Sequence, residues 1–133
     1  MGQPAAKQGD RITGTDFHVV MVPATPPAPA PAPLPHPFAG VIDGGLSSDV
    51  NIMGKPAAVV GSTASNTPAH MPMAPGTAFQ KAPANKATVQ FGSATVKING
   101  KPAARAGDIA LTCNDPADLP VGKVVATGTV MIG

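Results

Sequence analysis

Val50-Asn51-Ile52-Met53-Gly54-Lys55-Pro56-Ala57-Ala58 returns 46 residues later as Val96-Lys97-Ile98-Asn99-Gly100-Lys101-Pro102-Ala103-Ala104, identical at seven of nine positions. In both copies alternating residues run into a two-residue step, Met53-Gly54 or Asn99-Gly100, and then into Lys-Pro-Ala-Ala. Asn-Gly favours the type I′ turn, whose twist suits the strands it joins, so each copy reads as a β-hairpin. Pro56 and Pro102 fall near the first position of the returning strand, where a missing backbone donor is tolerated. Working outward, Pro4-Ala5-Ala6-Lys7-Gln8-Gly9-Asp10 parallels Pro102-Ala103-Ala104-Arg105-Ala106-Gly107-Asp108. Internal repetition marks structural units that bury their apolar faces against one another. Three related units are therefore expected.

The flanks of the hairpins also carry a strand period. Val89, Phe91, Ala94, Val96 and Ile98 share one face if Gly92-Ser93 is a turn, which predicts a meander. Residues 123–132 predict two more short strands bending near Gly128, and nowhere does a helical period persist. Residues 63–84 and 112–120 read as long loops. Residues 23–37, with proline at nearly every second position, have the composition of a polyproline II segment, and a loop laid against the body is expected there.

The 133 residues suit one domain, 1–133, with no appended effector domain. The core is expected to be thin, because the chain has no Trp, no Tyr and only four Phe, so most of its apolar side chains are small. A covalent or metal staple is what such a core needs. A disulfide within the chain is excluded, since Cys113 is the only cysteine. The net charge of +2 is scattered, and aromatic side chains are scarce, which argues against nucleic acid. No secretory signal and no apolar stretch of spanning length is visible, so a cytoplasmic start is expected, without a membrane anchor. All seven acidic residues are Asp, which removes the helical zinc motif whose Glu acts as base between two His.

His18 follows Pro4 by 14 residues, His70 follows Pro56 by 14, and Cys113 follows Pro102 by 11. Each unit thus delivers one donor from the segment beyond its corner, and His36, inside the proline run, completes the chain's inventory of His and Cys. Four imidazole and thiolate donors suit tetrahedral Zn²⁺, with Fe²⁺ as competitor, and a full set leaves no position for a reacting water. A structural metal site at His18, His36, His70 and Cys113 is expected, with no catalytic residue.

The Pro4-Ala5-Ala6-Lys7, Pro56-Ala57-Ala58-Val59 and Pro102-Ala103-Ala104-Arg105 corners resemble the PAAR-repeat family, and the last spells its tetrapeptide. The middle unit departs, with Val59 and Ser62 where the third has Arg105 and Asp108. The resemblance implies an all-β fold: a short cone of hairpin-like units in pseudo-threefold arrangement, with zinc near its apex on three His and one Cys. It implies a structural protein that caps the trimeric β-helical spike of a type VI secretion system or a related phage-tail-like injection machine. One copy would bind per trimer, separate effectors could ride with it, and the tip would touch a target membrane transiently. No small-molecule substrate is implied.

Two other classes stay open on the sequence. One is a small zinc hydrolase with Asp10, Asp108 or Asp115 as base. The other is an adaptor that presents residues 23–37 to a partner domain.

Overall fold

The computed structural model describes residues 2–23 and 30–133. Thirteen strands follow in order: β1 (Gln3–Pro4), β2 (Arg11–Val22), β3 (Ala30–Gly44), β4 (Asn51–Ile52), β5 (Lys55–Pro56), β6 (Thr63–Asn66), β7 (Ala78–Phe79), β8 (Lys86–Val89), β9 (Lys97–Ile98), β10 (Lys101–Pro102), β11 (Ile109–Thr112), β12 (Leu119–Val125) and β13 (Met131–Ile132). No helix occurs among the described residues. The fold is all-β, as expected.

Both predicted hairpins form. β4 pairs with β5 across Met53 (φ 52°) and Gly54 (φ 81°), and β9 with β10 across Asn99 (φ 53°) and Gly100 (φ 78°). Two successive positive φ values are what a type I′ turn requires. The third hairpin is assembled from the two ends of the chain, β1 pairing antiparallel with β13. Ile52, Ile98 and Ile132 consequently occupy matching places. They pack with Ala5, Ala57, Ala103 and Val59 into one apolar cluster.

The corners beyond these hairpins interlock. The Ala6 N–H donates to the Ala104 carbonyl (2.9 Å), Ala104 to Ala58 (3.0 Å), and Ala58 back to Ala6 (3.0 Å). A second ring links Gln8 to Pro56, Val60 to Pro102 and Ala106 to Pro4, each at 2.9 Å. Three chain segments can approach this closely only with small side chains, and Ala6, Ala58 and Ala104 are fully buried.

Each corner then turns through a glycine with positive φ, at Gly9 (91°), Gly61 (97°) and Gly107 (88°), the requirement of the third position in a type II turn. The residue after it caps the turn. Asp10 accepts from the Lys7 N–H (3.0 Å), Ser62 from Val59 (2.9 Å) and Asp108 from Arg105 (2.7 Å). Ser62 therefore does the same backbone work as the two aspartates. The ion pairs Lys7–Asp10 and Arg105–Asp108 are additions in the outer units, whereas Val59 is buried in the apolar cluster instead.

Past the corners, six strands close into an antiparallel ring in the order β12-β11-β8-β6-β3-β2, sealed by β12 against β2. It contains three strand pairs, β2–β3, β6–β8 and β11–β12, one per unit. Ile12, Phe38, Ile42, Ala64, Ala87, Val89, Ala110 and Val124 fill it next to Ala6, Ala58 and Ala104.

Three expectations need correcting. The predicted loop at 23–37 is half strand: Ala30–Pro37 belong to β3 and pair with β2 out to Val22, while residues 24–29 lie outside the described residues. Pro31, Pro33, Pro35 and Pro37 alternate with residues that keep an N–H, so the donors needed by β2 survive and the missing ones face the free edge, where proline blocks further pairing. The predicted meander breaks after Val89: Phe91 is 57% exposed, because the chain leaves the ring to start the next hairpin. The loop at 63–84 begins with β6, and that at 112–120 ends with β12.

Replacing Ala58 by Leu forces branched carbons into the ring of corners. The variant is expected to lose at least about 2 kcal/mol of stability, the cost of overpacking a tight core, measured by chemical denaturation.

Candidate metal centre

The closed ring is apolar beside the corners and polar beyond them. On β2, Asp16 and His18 are two residues apart and so share the inward face; both are essentially inaccessible. His36 faces Asp16 across the β2–β3 ladder and is likewise buried. His70 comes from the segment between β6 and β7, its N–H held by the Asn85 side chain at 2.8 Å. Cys113 follows β11 directly. It is kept in place because Asn114 accepts from the Phe17 N–H (2.7 Å) and Asp115 from Val19 (3.0 Å), which zips this segment onto β2.

All four residues expected as ligands meet here. The centroids of the His18 and His70 rings are 4.9 Å apart, those of His18 and His36 5.4 Å, and those of His36 and His70 5.6 Å. Cys113 Sγ lies 3.7 Å from His18 Nε2. Asp16 was not expected. Its Oδ2 is 2.9 Å from His70 Nε2, 3.3 Å from Cys113 Sγ and 3.8 Å from His18 Nε2. One donor atom from each of Asp16, His18, His70 and Cys113 lies within 4.8 Å of the other three. His36 is engaged differently: Nδ1 is 2.8 Å from the Leu34 carbonyl, and Nε2 accepts the Met73 N–H at 3.0 Å.

This group can hold a metal ion. Donors at about 2.0–2.3 Å from a tetrahedral centre stand roughly 3.3–3.8 Å from one another, close to the spacings above. His18 points the same way, since its buried Nδ1 has no hydrogen-bond partner and its Nε2 makes only long contacts, to Cys113 Sγ and Asp16 Oδ2. Buried polar atoms are ordinarily satisfied. Burial first, then the neighbouring His70, pushes the His18 imidazole below its ordinary pKa, which keeps a lone pair free for an ion. Burial also pushes the Cys113 thiol up to about 12, helped by the adjacent Asp16, so an ion must displace a proton to bind sulfur.

Of the carboxylates a hydrolase would use as base, Asp10 and Asp108 are committed to their corners and to Lys7 and Arg105. Asp115 stands 3.5 Å from His18 Nδ1 and braces β2.

The class of protein this defines is an all-β body of three interlocked Pro-Ala-Ala units, with a buried cluster of His, Cys and Asp donors that could hold a metal ion. The PAAR motif family matches residues 34–116, more than half of the chain, and the chain belongs to that family. The family is structural and comprises spike-tip proteins of secretion or injection systems, and its small conical β fold agrees with the closed ring described above. No curated protein and no solved structure matches the chain. No helix among the described residues is long and apolar enough to cross a membrane.

With its thiol buried and protonated, Cys113 should resist iodoacetamide in the native, metal-free protein and react rapidly once the chain is denatured. A native rate near that of free cysteine would show the thiol to be open and ionised.

Proposed function

We propose that the chain caps the end of a trimeric spike in a contractile injection system, of type VI secretion or phage-tail-like kind, and that a structural Zn²⁺ pins its tip. The observation that carries this is the cycle of backbone bonds through Ala6, Ala58 and Ala104. It gives one chain a pseudo-threefold frame, with Ile52, Ile98 and Ile132 repeated around it on the hairpin side. A trimer ends in three equal surfaces. A monomer that repeats its own surface three times can satisfy all of them with one copy, and the assembly then stops.

Exposed Met53, Val130 and Met131 lie on or beside the same hairpins and extend the apolar surface available to such a partner. The donor cluster lies past the corners on the opposite side, where the tip would meet a target membrane. An ion bound there would cross-link β2, the segment before β7 and the residue after β11, and so supply stiffness that the small core lacks. His18, His70 and Cys113 are the donors this assignment needs first, with the fourth drawn from His36 or Asp16.

Purified protein should carry about one equivalent of zinc. Cys113→Ser and His70→Ala should each lower metal content and reduce Tm by roughly 10 °C, the shift for about 3 kcal/mol in a domain of this size; normal Tm in both would rule out a structural ion. Mixed with a trimeric spike, one copy per trimer is expected in native mass spectrometry, and three copies or none would argue against the cap.

A further inference from the structure

We infer that the seam between the middle and third units carries a docking groove for one basic side chain, a guanidinium or ammonium, of the protein seated on the hairpin side. This rests on the cap reading above and names the chemistry of that contact.

The residue after each Pro-Ala-Ala corner is Lys7, Val59 or Arg105, and in two units it is a cation that bonds the segment leading into a hairpin. Arg105 Nη2 donates to the Gly92 carbonyl (3.4 Å) and Nη1 to that of Gly133 (3.1 Å), while the guanidinium pairs with Asp108 at 3.0 Å. Lys7 Nζ donates to the Thr127 carbonyl (2.7 Å) and pairs with Asp10 at 3.2 Å. Gly92 stands four residues before Val96 and Thr127 three before Val130, so their counterparts before Val50 are Leu46 and Ser47. Gly133 follows β13 as Asn99 follows β9. Each filled groove is thus a set of backbone acceptors closed by the chain's own cation.

The middle unit keeps the groove and lacks the cation. Val59 is short and apolar, Ser62 replaces the aspartate, and a cavity of about 300 Å³ opens between residues 45–49, Val59, Asn99 and Lys101. Among the described residues, no hydrogen bond reaches the Leu46 or Ser47 carbonyl. The groove also carries a carboxylate that the others do not, since Asp49 stands where they have Thr95 and Thr129. Its Oδ2 accepts from Asn99 Nδ2 at 2.7 Å, and among the described residues it has no cationic partner. Lys101 on the rim does not close the groove to a cation, because its counterpart Lys55 stands beside the Lys7 groove, its Nζ 3.7 Å from where a side chain at Gly9 would begin.

Acceptors without a donor and a carboxylate without a cation call for a charge supplied from outside, as charge-assisted bonds are the strong ones. Asn99 belongs to a hairpin turn and Asp49 to the lead into another, so that charge comes from the protein docked there. A trimer offers any basic side chain three times at equal spacing. Lys7 and Arg105 already fill two grooves, so one copy enters the third and holds the cap against rotation.

Two variants test this. Val59→Arg/Ser62→Asp writes the Arg105–Asp108 pair into the middle unit and fills the groove; its Tm should match that of the wild type. Asp49→Asn removes the charge from an exposed residue and leaves the fold untouched. N-acetyl-argininamide titrated into the full chain should shift the amide NMR signals of Leu46, Ser47, Asp49 and Asn99; the double variant should abolish these shifts, and Asp49→Asn should weaken binding roughly threefold to fivefold, the size of a partly exposed ion pair. Equal shifts with the neutral N-acetyl-citrullinamide, or undiminished shifts in both variants, would overturn the groove. Affinity for the trimeric spike that co-purifies with the chain should fall at least about tenfold in the double variant, and unchanged affinity in both variants would overturn the contact. If the wild type captures no spike, the cap reading itself fails, an outcome separate from the titration.

Discussion

Everything in this fold is hung on three backbone hydrogen bonds that run in a circle through Ala6, Ala104 and Ala58. Each bond joins two different units, so no unit can complete its own corner. The constraint is steric before it is energetic: at the centre of such a ring a side chain larger than a methyl group has nowhere to go. That is the physical content of the repeated Pro-Ala-Ala. Proline ends the hairpin strand without needing a donor, the first alanine packs toward the hairpins, and the second packs toward the closed ring. Once the corners are locked, the register of six strands is set at a common level. Residues a fixed distance along each unit then reach the same height inside the ring.

The parts of the fold that were legible in the sequence are those in which one short segment decides its own geometry. The turns at Met53-Gly54 and Asn99-Gly100 are of this kind, as is the glycine that reverses each corner. The third hairpin was hidden because its strands stand at opposite ends of the chain. Val130-Met131-Ile132 matches Val50-Asn51-Ile52 too briefly to be noticed without the pairing of β13 with β1. The proline run misled for a different reason. Composition suggests polyproline II, but β structure depends on which residues lack an N–H, and proline at every second position leaves one edge of a strand fully able to bond. Phe91 misled because alternation was read through a point where the chain changes element.

At the site, His18, His70 and Cys113 could be found because a repeat converts sequence distance into spatial phase. His36 was assigned by completing a set of four, and the structure does bring its ring against the other two. Asp16 gave no such signal. Aspartate occurs seven times in the chain, and nothing in composition separates this one from those at the corners. The available clue was local: Asp16 stands two residues before His18, and on a strand that spacing puts both side chains on one face. A carboxylate that shares an inward face with a ligand is either a donor itself or the means of orienting one.

The two sides of the molecule obey different symmetry, and the single chain makes this possible. On the hairpin side the units are nearly interchangeable, down to the three isoleucines. Beyond the corners they diverge: β2 and β3 run for 12 and 15 residues, whereas β6, β8 and β11 have four each. A homotrimer could not do this, because every donor near its axis would appear three times. Covalently joined repeats can hold a threefold frame at the hairpins and still send different side chains into one cluster that could hold an ion. The divergence of the segments beyond the corners is therefore the condition for assembling unlike donors around one centre.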